Sequence, residues 1–350
     1  MWTKVCSFAK KINNAMKISA SIYSNKDKSL KELIEELDAY HVNFFHIDSL
    51  DDPRVFEDIQ QIRTLSKTPI DLHLITPTPE KYFDLIAKNQ IEFVTFQYEN
   101  LRNGLQIPDF IKSDLGIAIT SETDISVFDR YAECCKFILF MTTTPGMSGG
   151  EFNKQNFKKI RDFRSKFPDK KIHVDGGINA EVSFILRNMG VYAAVIGSYL
   201  FKNSFIGSAM LNLKNEDISS HYRIRDFMLE YEEIPVIQQD DLTFEKVLLS
   251  IDQYKMGFTN ITDNNGILMG IITNADIRKG LIRNIGNLNN IDVSDMINPN
   301  PAFIYEDETV SDVLSYIKNL HFPVLFLPVV NGQKKVTGAI KFNNLIKGES

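Results

Sequence analysis

The sequence predicts an α/β chain: a closed (β/α)8 barrel followed by a smaller α+β module built from a repeat. Three observations predict it. Between residues 17 and 201, eight short β-type runs alternate with longer helical patterns. The polar residues of those runs gather at or near their C-terminal ends. Beyond residue 234 the chain matches itself at a nearly constant offset.

The runs are KISASI (17–22), VNFFHID (42–48), PIDLHLI (69–75), FVTFQ (93–97), LGIAI (115–119), KFILFM (136–141), KIHVD (171–175) and AAVIG (193–197). They are nearly continuous apolar stretches, as expected of parallel strands buried on both faces. Between them, segments such as Leu30–Tyr40, Pro79–Asn89 and Asn156–Phe167 carry apolar residues at helical spacing. Eight strand-then-helix units in under about 200 residues make a TIM barrel over 1–202. Residues 203–233 read as a polar, helical connector, and 234–350 as the repeat module, with copies at 234–285 and 291–350.

Composition narrows the function classes. The chain has 350 residues, 43% hydrophobic and 24% charged, with a formal net charge of -6. That balance argues against a nucleic-acid binder, which needs a basic face. Cys6, Cys134 and Cys135 are odd in number and form no CxxC, which points to a reducing compartment and the cytoplasm. No apolar run approaches the roughly 18 residues that span a bilayer, so no membrane association is expected. The N-terminus carries Lys4, Lys10, Lys11 and Lys17 without an apolar signal core, and reads as a lead-in helix.

His46, Asp48, His73, Gln97, Met141 and Asp175 lie at or near strand C-termini, the face on which barrels of this kind place their chemistry. In His46-Ile47-Asp48, residues two apart point to the same side, so one strand delivers imidazole and carboxylate together. With His73 on the next strand and Asp175 on the seventh, two nitrogens and two oxygens make a site for one divalent metal ion: Zn2+, Fe2+, Mn2+ or Co2+. The Gly-rich segment Thr142–Gly150, the pair Gly176-Gly177 and Gly197-Ser198 follow three consecutive strands and suit a phosphate. No strand end offers the lysine that a Schiff-base aldolase would use.

These motifs together resemble the ribulose-phosphate 3-epimerase family over residues 17–201. Ile18–Ile22 matches the opening strand, His46-Ile47-Asp48 the H-x-D, Asp71-Leu72-His73-Leu74 the second histidine strand, Met141–Gly150 the MTVNPGFGGQ loop, Val174–Asn179 the VDGGIN segment, and Gly197-Ser198 with Phe201 the final GSxxF. The resemblance implies that His46, Asp48, His73 and Asp175 hold the metal. It implies that Asp48 and Asp175 are the two acid/base groups which invert C3 of a ketose phosphate, such as ribulose 5-phosphate or xylulose 5-phosphate, through an enediolate. It also implies a substrate-facing set of Ser21, His73, Met141, Gly146, Gly149, Gly176, Gly177, Gly197 and Ser198. Departures surround the substrate: Ser49-Leu50-Asp51-Asp52 stands for VMDG, Ile75 for a methionine, Gln97 for a histidine, and the segment between His46 and His73 is short for the family. Altered specificity and a barrel that has lost activity are the two readings of these changes.

In the module, Pro235, Thr243, Val247 and Leu248 recur at Pro301, Thr309, Val313 and Leu314, an offset of 66 that slips by two to pair Gly270 with Gly338. The region 234–347 resembles a tandem CBS (Bateman-type) pair. Gly270–Ile277 fits G-x-x-T-x-x-D, and the resemblance implies an adenine nucleotide at Thr273 and Asp276. In the second copy Lys341 and Asn344 replace the Thr and Asp. Alternatively, the pair is only a dimerising module in which Asp276 caps a helix. Barrels of this family and CBS pairs both self-associate, so a homo-oligomer is expected.

Overall fold

A computed structural model describes residues 16–102, 104–147, 149–202, 205–214, 221–286, 291–318, 320 and 325–341. The expected lead-in helix, the distal part of the second repeat and Asn344 lie outside the described residues. The chain divides between residues 218 and 219 into two compact units.

The first unit is a closed barrel of eight parallel strands in sequence order: β1 (Lys17–Ser21), β2 (Phe44–Ser49), β3 (Ile70–Leu74), β4 (Phe93–Gln97), β5 (Asp114–Thr120), β6 (Phe137–Met141), β7 (Lys171–Asp175) and β8 (Ala193–Ile196). Each differs from its sequence-derived span by at most two residues at either end. The outer layer holds α1 (Leu30–Ala39), α2 (Val55–Leu65), α3 (Phe83–Lys88), α4 (Gln155–Lys166), α5 (Ala180–Asn188), α6 (Ser198–Lys202) and α7 (Ile206–Lys214). Helix α1 begins at a capping box, in which Ser29 accepts from the Glu32 amide and Glu32 accepts from the Ser29 amide. Its Leu33, Ile34 and Leu37 are buried at helical spacing. The strand-then-helix rule fails at two crossovers. Among the described residues, the β4–β5 link holds a 3-10 helix, Tyr98–Asn100, and then irregular chain containing Gly104 and Pro108, and the β5–β6 link holds only a 3-10 helix, Ile125–Tyr131.

At the N-terminal end of the barrel, aromatic rings fill the interior. His173 stacks on Phe137 with centroids 4.1 Å apart and lies 5.5 Å from the Tyr192 ring and 6.2 Å from that of Phe93. Glycine is required at 116, because a Cβ there would sit 2.2 Å from the Phe137 ring. Burial lowers the His173 pKa to about 4, so the ring packs as a neutral aromatic.

The expected connector, 203–233, is not one element. Helix α7 buries Ile206, Ala209, Met210 and Leu213, spaced i, i+3, i+4 and i+7, and Ser183 on α5 donates to the Leu213 carbonyl at 2.9 Å. Each buried aliphatic side chain contributes about 1.5–3 kcal/mol, enough to keep this helix with the first unit. Strand β9 (Leu229–Glu230) instead pairs within the second unit.

The second unit continues with β10 (Val236–Gln238), α8 (Phe244–Tyr254), β11 (Phe258–Thr262), β12 (Leu268–Thr273), α9 (Asn274–Arg283), β13 (Ile304–Tyr305), α10 (Val310–Lys318), β14 (Phe326–Val330) and β15 (Val336–Lys341). Two sheets form, ordered β10-β11-β12 and β13-β14-β15-β9. Both hairpins carry a register shift, at Ile261/Thr262 and Val329/Val330. Both also turn the same way: Asp263 Oδ1 accepts from the amides of Asn265 and Ile267, and Asn331 Oδ1 from those of Gln333 and Lys335. The repeat is therefore structural as well as sequential.

Candidate metal centre and active site

Strand pairing assembles the site. Parallel register sets His46 beside Asp71 and Asp48 beside His73. H-x-D on β2 thus lies against D-x-H on β3, and the same-face rule turns all four side chains inward. From β7, Asp175 joins them. One donor atom each from His46, Asp48, His73 and Asp175 lies within 4.8 Å of the others. His46 Nε2 is 3.4 Å from Asp48 Oδ1 and 4.0 Å from Asp175 Oδ2, and His73 Nδ1 is 3.0 Å from Asp48 Oδ1. Donors around a tetrahedral zinc are separated by about 3.4 Å, given bonds of ~2.0–2.1 Å, so little movement would bring this set onto one ion.

Hydrogen bonds outside the cluster fit the same role. His46 Nδ1 contacts Asp71 Oδ2 at 2.9 Å, and Ser19 Oγ donates to that oxygen at 2.8 Å. His73 Nε2 contacts Gln97 Oε1 at 2.8 Å. Each histidine therefore engages an acceptor with one nitrogen and turns the other inward, the arrangement that orients metal-binding imidazoles. His46 Nε2 is buried and has no hydrogen-bond partner, which is costly unless a cation occupies the space it faces. Asp71 was not among the sequence-derived site residues. Its signal was the D-x-H spacing, but assigning it needs the register between β2 and β3.

Electrostatics are polarised. Burial would depress His46, yet the carboxylates of Asp71 and Asp48 outweigh it and raise its pKa well above 6.5. Burial would raise Asp48, but His46 and His73 hold it far below the usual carboxylate range. Burial pushes Asp175 up to about 6, with His46 opposing and Asp48 adding to the rise. Two histidines meet three carboxylates there, a balance that suits a cation among them.

The remaining sequence-derived residues lie at or just after the C-terminal ends of β1, β6, β7 and β8. Ser21 contacts Ser24 at 3.1 Å, and a Cβ on Gly197 would meet the side chains of both serines. Ser198 opens α6. Met141 pairs with Asp175 across strands and packs with Ala118, Leu139 and Val195. The loops after β6 and β7 are tied together by Thr142, whose amide donates to the Asp175 carbonyl at 2.8 Å and whose hydroxyl donates to Gly176. Gly177 has φ +62, and a Cβ there would lie 2.2 Å from the Phe152 amide nitrogen, so no other residue fits without moving backbone. A Cβ on Gly146 would meet Leu50, whereas one on Gly149 would meet nothing within 4 Å.

Comparison with known proteins decides the family. The model of the ribulose-phosphate 3 epimerase family matches residues 17–201, and the CBS domain model matches residues 293–349. The chain belongs to the ribulose-phosphate 3-epimerase family. Its barrel is that of a sugar-phosphate epimerase, and its second unit contains CBS domains. It is 29% identical over 213 residues to the ribulose-phosphate 3-epimerase of Methanocaldococcus jannaschii, covering 57% of this chain and 90% of that one. To the enzyme of the same name from Helicobacter pylori it is 26% identical over 216 residues, covering 57% and 97%. A CBS protein crystallised with AMP is 21% identical over 36% of this chain and 95% of its own, with a TM-score of 0.30. Among the described residues, no helix is long and apolar enough to cross a membrane.

In the second unit, Thr273 and Asp276 form a capping box at the start of α9. Asp276 Oδ2 accepts from the Thr273 amide at 3.0 Å and from its hydroxyl at 2.6 Å, and Thr273 Oγ1 accepts from the Asp276 amide at 3.2 Å. The pair thus already serves as the helix cap that was the alternative reading of the motif.

Proposed function

We propose that the barrel inverts C3 of a ketose phosphate, ribulose 5-phosphate/xylulose 5-phosphate or a related sugar phosphate, using Asp48 and Asp175 as acid/base groups. His46, Asp48, His73 and Asp175 hold one divalent ion, Zn2+, Fe2+, Mn2+ or Co2+. The observation that carries this reading is the convergence of four donors within 4.8 Å around a buried, unpartnered His46 Nε2. Inversion requires a proton to leave one face of the carbon and another to arrive on the opposite face, hence two separate groups. Asp48 from β2 and Asp175 from β7 reach the centre from strands that are not neighbours in the barrel. When bound, the ion supplies electrostatic stabilisation of the charge that develops as the C3 proton leaves. Ser21 contacts the sugar hydroxyls, and Gly146, Gly149, Gly176, Gly177, Gly197 and Ser198 surround the phosphate. His73 and Met141 line the floor.

A second reading draws on the departures around the substrate. Leu50 and Asp52 stand for the methionine and glycine of VMDG, and a Cβ on Gly146 would meet Leu50, so a replaced side chain lies against the Gly-rich loop. On that reading the barrel is altered or inactive and the chain is an adenine-nucleotide-sensing regulator through Thr273 and Asp276. NMR of metal-loaded protein in D2O with ketopentose and ketohexose phosphates separates the two. Solvent deuterium at C3 together with the epimer supports the epimerase. No exchange with any sugar, while the ion is bound, supports the sensor.

A further inference from the structure

The two histidines of the centre are held from behind by different chemistry. A carboxylate, Asp71, backs His46, whereas an amide, Gln97, backs His73, and a carboxylate stands one side chain further out. Gln97 occupies a position where the family pattern carries histidine. We infer that Gln97 and Glu99 form a positioning relay that fixes the tautomer of His73 and so aims its Nδ1 lone pair at the divalent ion. The inference rests on the reading that the four residues hold such an ion.

The relay is anchored at Glu99. Its Oε1 accepts from the Thr120 amide at 2.9 Å, from the Thr120 hydroxyl at 3.1 Å and from the Thr123 hydroxyl. The loop bearing those donors is clamped in turn: Lys159 Nζ on α4 donates to the carbonyls of Thr120, Ser121 and Thr123 at 2.8, 3.0 and 2.6 Å. Burial would raise the Glu99 pKa, but the Thr120 amide, Thr123 and Gln97 hold it below the usual range. An ionised carboxylate only accepts hydrogen bonds. It therefore faces the NH2 end of Gln97, and Gln97 Nε2 donates to Glu99 Oε2. That orientation leaves Gln97 Oε1 pointing at His73 Nε2, 2.8 Å away. The amide oxygen also only accepts, so Nε2 must carry the proton. In the neutral imidazole Nδ1 is then the lone-pair nitrogen, 3.0 Å from Asp48 Oδ1. Two acceptors that close need a cation between them. Gln97 is buried, so solvent does not compete for the amide. The relay confers direction without setting a second full charge against the imidazole, and makes the two histidines unequal donors.

Zinc and Co2+ affinities of the full chain, by chelator competition, and the 15N spectrum of His73 in the zinc-loaded protein test the relay. The unsubstituted chain should show His73 protonated on Nε2. Glu99→Gln removes the charge that orients the amide, and should weaken ion binding by about tenfold, as outer hydrogen-bond partners of metal ligands do, with the His73 signals displaced. The exchanged pair Gln97→Glu with Glu99→Gln restores an acceptor behind His73 and a donor behind that acceptor, and should recover most of the affinity. A role in packing alone would move neither the tautomer nor the recovery. Wild-type affinity in Glu99→Gln, or a proton on Nδ1 in the unsubstituted chain, overturns the relay while leaving the metal centre standing. Failure of the unsubstituted chain to take up either ion overturns both.

Discussion

The mouth of the barrel and the start of helix α9 both present residues that the sequence marks as ligand-binding, yet they treat their polar atoms in opposite ways. In the barrel, the outer nitrogen of each histidine is engaged, the inner nitrogen of His73 meets Asp48, and the inner nitrogen of His46 is left without a hydrogen-bond partner. At Thr273 and Asp276 the two side chains satisfy one another and the helix end. A group left open in the interior is expensive, so it signals a ligand that repays the cost. A group already bonded locally signals a helix end, and any ligand there must compete with the cap. The first arrangement is a site prepared in advance. The second becomes one only at the expense of α9's first turn.

The widest gap between the two regions should appear in turnover. Asp175→Asn removes an acid/base group with almost no change in volume, and should lower epimerisation by about 10²–10⁴-fold while leaving the circular dichroism unchanged. An active variant would break the two-carboxylate scheme. Next, Asp71→Asn should weaken ion binding by about 10–100-fold, read by chelator competition, because His46 loses the charged partner that orients it. Saturation with zinc at 100 times its dissociation constant should stabilise the barrel by about 2.7 kcal/mol, and a chelator should reverse this. A smaller effect is expected at α9: Asp276→Ala removes the N3 half of the capping box and should cost roughly 0.3–1.5 kcal/mol without any nucleotide present. If it also abolishes a thermal shift given by AMP, the cap and the nucleotide share one carboxylate; an unchanged shift places the nucleotide elsewhere. The smallest change concerns the hairpins. Lys334 takes φ +61 where the first copy has Gly266 at φ +81. Lys334→Gly should gain about 1 kcal/mol from the backbone and lose about 0.5 kcal/mol of attraction between the ammonium and the Phe303 ring. A net rise of a few tenths of a kcal/mol in a urea melt would confirm that the turn is shared.

The barrel was legible because its strands are uninterrupted apolar runs whose ends are marked by polar residues; His46 and Asp48 were legible together because H-x-D needs only the same-face rule, and His73 and Asp175 because they stand at strand ends. The partners behind them were less so. Asp71 and Gln97 act across strands, and alternation along one strand does not reveal which residue of the next lies alongside. The connector failed for a related reason. Counted whole, 203–233 is rich in polar and charged residues, but Ile206, Ala209, Met210 and Leu213 share one helical face, which an average over the segment hides. The slip from 66 to 68 residues between the repeats was visible in sequence, and the structure keeps it: β11 and β14 begin at 258 and 326, and β12 and β15 at 268 and 336.

The stacked rings of Phe137 and His173, flanked by Tyr192 and Phe93, close the barrel at its N-terminal end. Traffic through the site is therefore two-way along a single entrance. A sugar phosphate arriving and its epimer departing exclude one another, so each must act as a competitive inhibitor of the other's conversion. Net flow is set, as for any catalyst, by the ratio of the two sugars relative to equilibrium, and the shared entrance governs only how strongly each slows the other.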